Sequence, residues 1–247
     1  MEQVKETHIV VTDEVNQSFD LWNDIDLSTI GLQALKLFDV FLTCLRFGYD
    51  EIDEDVEDIS EVGITEVVFS KREYEKALGV SRVRTKQLQK HCEELSALKF
   101  RNPNFLDKKV FEYFKTYYDK QKGKYMIAAK CSVIVHNLAF SPRYSITYAL
   151  KNTLYLKSKY SVLMYRFLRY ALAGKSFVIF RLPYENLKNI MLCKDRYSDI
   201  KNFNEKVIKP VKAELKQKTN IDFIIYEYGR KEKDVTIVAK KKQKKKG

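Results

Sequence analysis

No stretch of this sequence is apolar for long enough to cross a membrane. The strongest run, residues 35–47, is broken by Asp39 and Arg46 and falls short of the ~20 apolar residues a spanning helix needs. The opening Met-Glu-Gln-Val-Lys-Glu lacks the basic start and apolar stretch of a secretory signal, so a soluble, cytoplasmic protein is expected. Cysteine is scarce: Cys44, Cys92, Cys131 and Cys193 form no Cys-x-x-Cys pair, which argues against a zinc knuckle or a disulfide framework and predicts reduced core residues. The three histidines, His8, His91 and His136, lie far apart, with no His-x-His or His-Glu-x-x-His spacing to hold a metal. His91 reads as flanking a core. Ala173-Gly174-Lys175-Ser176 resembles the end of a phosphate-binding loop, but Arg169 stands where the first glycine is required. None of the 16 tyrosines has a metal or paired base to activate it as a nucleophile. The expectation is a protein without catalytic residues, metal or cofactor.

What the sequence does hold is charge, unevenly spread. Of 247 residues, 45% are hydrophobic and 32% charged, ordinary for one large globular domain or two small ones. Residues 1–66 carry 17 acids against 3 bases (−14), residues 67–142 carry 7 against 16 (+9), and residues 143–247 carry 9 against 26 (+17). A basic surface of this size suits a long polyanion, whose bound counterions it releases. Nucleic acid is therefore the leading partner, against the alternative of a lysine-rich surface that only solubilises. The acidic cluster, seven acids within residues 50–58, fails as a calcium loop, because Asp55 occupies the glycine position and Ile52 a ligand position. It reads as a solvated insert, about 50–61. Residues 240–247 form a basic tail.

Hydrophobic spacing then orders the elements. Leu32, Leu35, Phe38, Leu42 and Leu45 give residues 27–47 one buried helical face. A strand at 66–69 precedes Ser70-Lys71-Arg72-Glu73, a capping box opening a helix that Gly79 ends. Ser81 is placed to cap a second helix to about Leu98, with Leu88, Cys92 and Leu95 inward and Arg82, Lys86, Gln89 and Lys90 outward. A hairpin follows, 110–118 and 124–129, with Lys120, Lys122 and Lys124 at its tip. Helix-turn-helix plus hairpin is a winged helix. The same order returns: a helix at 156–171, a strand at 176–182, a helix from Tyr184 behind Pro183, and a long helix from Ser198 burying Ile200, Phe203, Val207, Val211 and Leu215. Its opposite face carries Asn202, Lys206, Lys209 and Lys216, and the hairpin 221–239 completes the unit. Pro210 lies inside that helix and should bend it or restart it at Lys209. The predicted fold is α+β, two tandem winged-helix domains at 1–138 and 139–239.

The C-terminal half carries a more specific signature. Residues 156–165, residues 197–210 ending Val207-Ile208-Lys209-Pro210, and Thr219-Asn220-Ile221-Asp222-Phe223 resemble the initiator proteins of iteron-bearing bacterial plasmids. The resemblance covers about residues 100–240, and the first hundred residues mainly by layout, with the acidic insert as a departure. It implies binding to double-stranded DNA with direct repeats, opening of adjacent AT-rich DNA, recruitment of the host replicative helicase and host initiator, and a homodimer that represses its own promoter. It implies too that Lys201, Asn202, Lys206 and Lys209, with Ser198 opening the helix, face DNA, and that Arg230, Lys231 and Lys233 form the wing. Asn202 and Gln89 suit adenine and Arg82 suits guanine, while the lysines suit phosphates. Two rivals are a winged-helix repressor without an origin role and a rolling-circle nickase.

Overall fold

The computed structural model describes residues 14–50, 66–140, 145–227 and 234–242. The chain divides into two compact units, Met1–Leu154 and Tyr155–Gly247. The boundary expected from the sequence is 138/139. The intervening stretch stays with the first unit because β5 (Ser145–Ala149) pairs antiparallel with β1 (Glu14–Ser18), Val15 opposite Tyr148. Those two strands, the short α1 (Phe19–Asp24) and α5 (Val133–Phe140) frame the winged helix of the first unit. None of the four stood out in the sequence.

At the centre of the first unit is α2 (Leu32–Asp50). One buried face was expected, but from Ala34 to Leu45 every side chain is buried, including Lys36 and Asp39. A helix covered all round belongs inside a core, and here β1, β2 and α4 pack against it. Phe38 and Phe41 meet Phe111 at 5.9 and 5.2 Å between ring centroids. The buried Asp39 carboxylate accepts a hydrogen bond from the Tyr148 hydroxyl at 3.1 Å. The strands β2 (Val67–Ser70), β3 (Phe111–Asp119) and β4 (Lys124–Cys131) form a sheet in the order β2-β4-β3.

The second unit repeats that plan. After α6 (Lys151–Leu154), which closes the first unit, come α7 (Lys159–Ala171), β6 (Phe177–Pro183), α8 (Tyr184–Ile190), a long helix, β7 (Ile221–Glu227) and β8 (Asp234–Lys241). Its sheet order, β6-β8-β7, is that of the first unit: last strand in the middle, both neighbours antiparallel. The core joins α7, through Val162, Met164, Tyr165 and Leu168, to Phe203, Val207, Val211 and Leu215 of the long helix and Phe223, Val235 and Ile237 of the sheet. The cysteines are free and buried, as expected, and burial pushes the Cys44, Cys92 and Cys131 thiols up to about 12. Among the described residues no helix is long and apolar enough to cross a membrane.

Candidate nucleic-acid interface

In the first unit the helix-turn-helix is built by short-range hydrogen bonds. The Ser70 hydroxyl accepts the Glu73 N–H at 3.2 Å and the Glu73 carboxylate accepts the Ser70 N–H at 2.6 Å, the reciprocal capping box read from the sequence. It opens α3 (Lys71–Leu78), and Gly79 ends it at φ 66°, in the left-handed region that a Cβ disfavours. The second helix, α4, spans Thr85–Ser96. Ser81 does not cap it: Arg84 holds the cap position and makes no side-chain cap bond. The turn is instead closed by Glu75 of α3, whose carboxylate accepts the Val83 N–H at 2.7 Å and pairs with Lys71. Burial alone would raise the Glu75 pKa. The Lys71 and Val83 hydrogen bonds and the charges of Lys71 and Arg82 outweigh it and hold the carboxyl below its ordinary value.

On α4, Leu88, Cys92 and Leu95 are buried while Lys86, Gln89 and Lys90 are exposed, as the periodicity required. Arg82 is exposed too, but because α4 begins at Thr85 it sits in the turn, not on the helix face. The later start also brings forward two exposed residues that the helical periodicity does not single out, Arg84 and Gln87. The Gln89 amide donates to the Glu93 carboxylate at 3.1 Å. At the tip of the hairpin, Asp119 accepts the N–H groups of Gln121 and Lys122 at 2.9 and 3.0 Å, and Gly123 turns the chain at φ 61°. Lys120 and Lys124 are exposed and Lys122 is half-buried.

The long helix of the second unit has a mixed build: α9 (Ile200–Phe203), a π turn (Asn204–Ile208) and α10 (Lys209–Lys218). Its buried residues Phe203, Val207, Val211 and Leu215 step by four. At 3.6 residues per turn, three such steps would swing the stripe about 120° around a regular α-helix. The wider turn offsets that swing and falls just before Pro210, which has no N–H to donate and would crowd the preceding turn. The helix therefore neither stops nor restarts at Lys209; Pro210 is absorbed in its first α10 turn. Asp199 caps the helix, accepting the Lys201 N–H at 3.0 Å. Ser198, Lys201, Asn202, Lys206 and Lys209 are all exposed, and Lys209 pairs with Glu205 one turn back. Glu214 anchors the opposite side, accepting the Lys157 N–H at 2.7 Å and the Lys218 ammonium at 2.8 Å. The expected wing residues Arg230, Lys231 and Lys233, the acidic insert at 50–61 apart from Asp50 and the tail from 243 onward lie outside the described residues, as does His8. Each unit thus presents an exposed basic helix beside a hairpin.

Comparison with known proteins adds a lineage to this geometry. The structure superposes on one solved as "Crystal structure of Pi initiator protein in complex with iteron DNA" with a TM-score of 0.71, covering 95% of this chain and 99% of that one at 19% sequence identity. That likeness is one of fold. No curated protein matches by sequence. Residues 183–240 match the second winged-helix domain described as "Initiator Rep protein, WH2", and residues 14–169 match "Initiator Replication protein, WH1". With both winged helices matched in order over most of its length, the chain belongs to the plasmid replication initiator (Rep) family.

Proposed function

We propose that this initiator works by binding duplex DNA that carries direct repeats, the two winged helices engaging one repeat. The observation that carries the reading is the duplication itself: two units of the same strand order, each with a helix whose inner face is apolar and whose outer face is basic. One such unit fits one major groove. Two in tandem fit successive grooves, the span of a repeat of about 20 base pairs, and the fold likeness to an initiator solved with iteron DNA supports the same partner. Lys86, Lys90, Lys201, Lys206, Lys209, the hairpin-tip residues Lys120, Lys122 and Lys124, and the wing residues Arg230, Lys231 and Lys233 grip phosphates. Asn202, Gln89 and Arg82 read bases. Gln89 must release Glu93 to do so, and Lys209 must leave Glu205. Ser198, just ahead of the capped helix, contacts the backbone.

On this reading the protein performs no chemistry on the DNA: binding promotes opening of adjacent AT-rich DNA and recruits the host helicase and host initiator in the cytoplasm, and a homodimer represses the promoter. The domain division proposed from the sequence, 1–138 and 139–239, is best tested against the 154/155 boundary by limited proteolysis. The decisive experiment is a binding titration of the full chain on DNA flanking its gene. Protected direct repeats, with melting of the neighbouring AT-rich segment, are expected. Protection of the promoter alone would leave a repressor, and a covalent protein–DNA product on a supercoiled origin would leave a nickase.

A further inference from the structure

On one flank of α4 is a cleft of about 480 Å³, formed with the α3–α4 turn and the start of α2. Its volume is that of a small-molecule site. Gln87 and His91 lie one turn apart on the side of α4, between the buried stripe and the outward Lys86 and Lys90. The walls are apolar: Leu78, Val83, the buried ring of Tyr74, and Val80, which is 45% exposed at the lip. Three neutral polar side chains stand among them. Two are the amides of Gln33 and Gln87. The third is the His91 imidazole, which burial pushes toward its neutral form against the opposing pull of Glu94, 3.8 Å away. Arg82 and Lys90 add two cations, both on exposed residues.

We infer that this cleft is a binding site for an adenine nucleotide, with the phosphate on Arg82 and Lys90 and the base between the apolar walls and the glutamine amides. The parts decide the class. A glutamine amide is the side chain that matches the N6 and N7 edge of adenine, donor to acceptor and acceptor to donor. Valine and leucine surfaces suit the faces of a heterocycle. Two cations suit a phosphate dianion through charge-assisted hydrogen bonds. An aliphatic acid would satisfy the cations but make no use of the amides or the imidazole. Inorganic phosphate would use the cations alone. Since Arg82 and Lys90 are also residues that the proposed function turns toward DNA, an occupied cleft competes with the duplex for them, and the nucleotide acts as a negative effector of the first unit. The effector role rests on that function; the site itself does not.

The test is calorimetric titration of the full chain, without DNA, with AMP, adenosine and inorganic phosphate in turn. AMP is expected to bind at one site, about tenfold more tightly than either adenosine or phosphate, because only AMP engages both ends of the cleft. Val80→Glu, which sets a carboxylate beside the two cations, should weaken AMP about tenfold. Gln87→Ala should weaken AMP and leave phosphate unchanged. Phosphate binding as tightly as AMP, or no saturable AMP binding, overturns the inference. Because DNA is absent, these outcomes do not depend on the duplex-binding function. With DNA added, saturating AMP should weaken duplex binding by the native chain and not by Val80→Glu; a native chain unaffected by AMP keeps the site and overturns the effector role.

Discussion

The carboxylate of Glu75 accepts the backbone N–H of Val83 at 2.7 Å, across the eight residues that turn α3 into α4. The bond is partly buried, and with Arg84 offering no side-chain cap bond it is Glu75 that ties the turn ahead of the candidate recognition helix back to α3. Glu75→Ala should destabilise the first unit by about 1.5–3 kcal/mol, the worth of a hydrogen bond to a charged acceptor. Thermal unfolding of the full chain is the check. A loss restricted to DNA affinity, with unfolding unchanged, would show that the bond positions the turn without stabilising it.

Acid should weaken both units through the same kind of group. Glu75 and Glu214 are each held below the ordinary carboxyl value of 4.5, their lysine and N–H partners overcoming the opposing effect of burial. A carboxyl with a depressed folded-state pKa stabilises the fold above its unfolded value, and that stability drains away as pH falls from there through the folded value. Denaturant unfolding is therefore expected to lose stability below about pH 4.5. Glu75→Gln and Glu214→Gln should each flatten the decline.

Pro210 offers a test of how the long helix sets its register. Pro210→Ala restores an N–H and removes the ring, so the π turn at Asn204–Ile208 is free to tighten into α-helix. Tightening would rotate Asn202 and Lys206 relative to Lys209 and Lys216. Duplex binding should weaken several-fold. Unchanged binding together with a retained π turn would assign the wide turn to the four-residue spacing of the core residues alone.

Reading and gripping should separate by substitution. Asn202 is exposed in the first turn of the long helix, where side chains meet base edges, whereas Lys231 lies in the wing sequence. Asn202→Ala is expected to cost about 1–3 kcal/mol on the direct repeat and little on random DNA. Lys231→Ala should weaken both and make the salt dependence shallower by roughly one unit. Equal losses for Asn202→Ala on both DNAs would move the reading role to Arg82, Lys86 and Gln89 of the first unit.

Salt dependence reports whether both units hold one duplex. Neutralising about eight to ten phosphates predicts a slope of log K against log salt of about −7 to −9. A slope shallower than about −3 means one unit binds alone.

Much of this protein was legible in its sequence because the signals are local. A capping box, a glycine after it and a three-to-four spacing of leucines fix α3 and the inner face of α4, since each acts within one or two turns. Lys86, Lys90, Asn202 and Lys206 are exposed where the periodicity put them. The tertiary structure decided what depends on distant residues. The start of α4 was displaced because the acceptor for Val83 comes from α3 and not from the nearby Ser81. The pairing of β1 with β5 joins residues 14–18 to residues 145–149, and no local pattern marks two short strands that only each other's backbone completes. The burial of α2 on every side has the same origin: one apolar stripe is written in its periodicity, but the remaining faces are covered by strands and helices drawn from both directions along the chain. The π turn lies between the two, its cause visible in Pro210 and the four-residue spacing, its form settled only when those residues had to reach a common core.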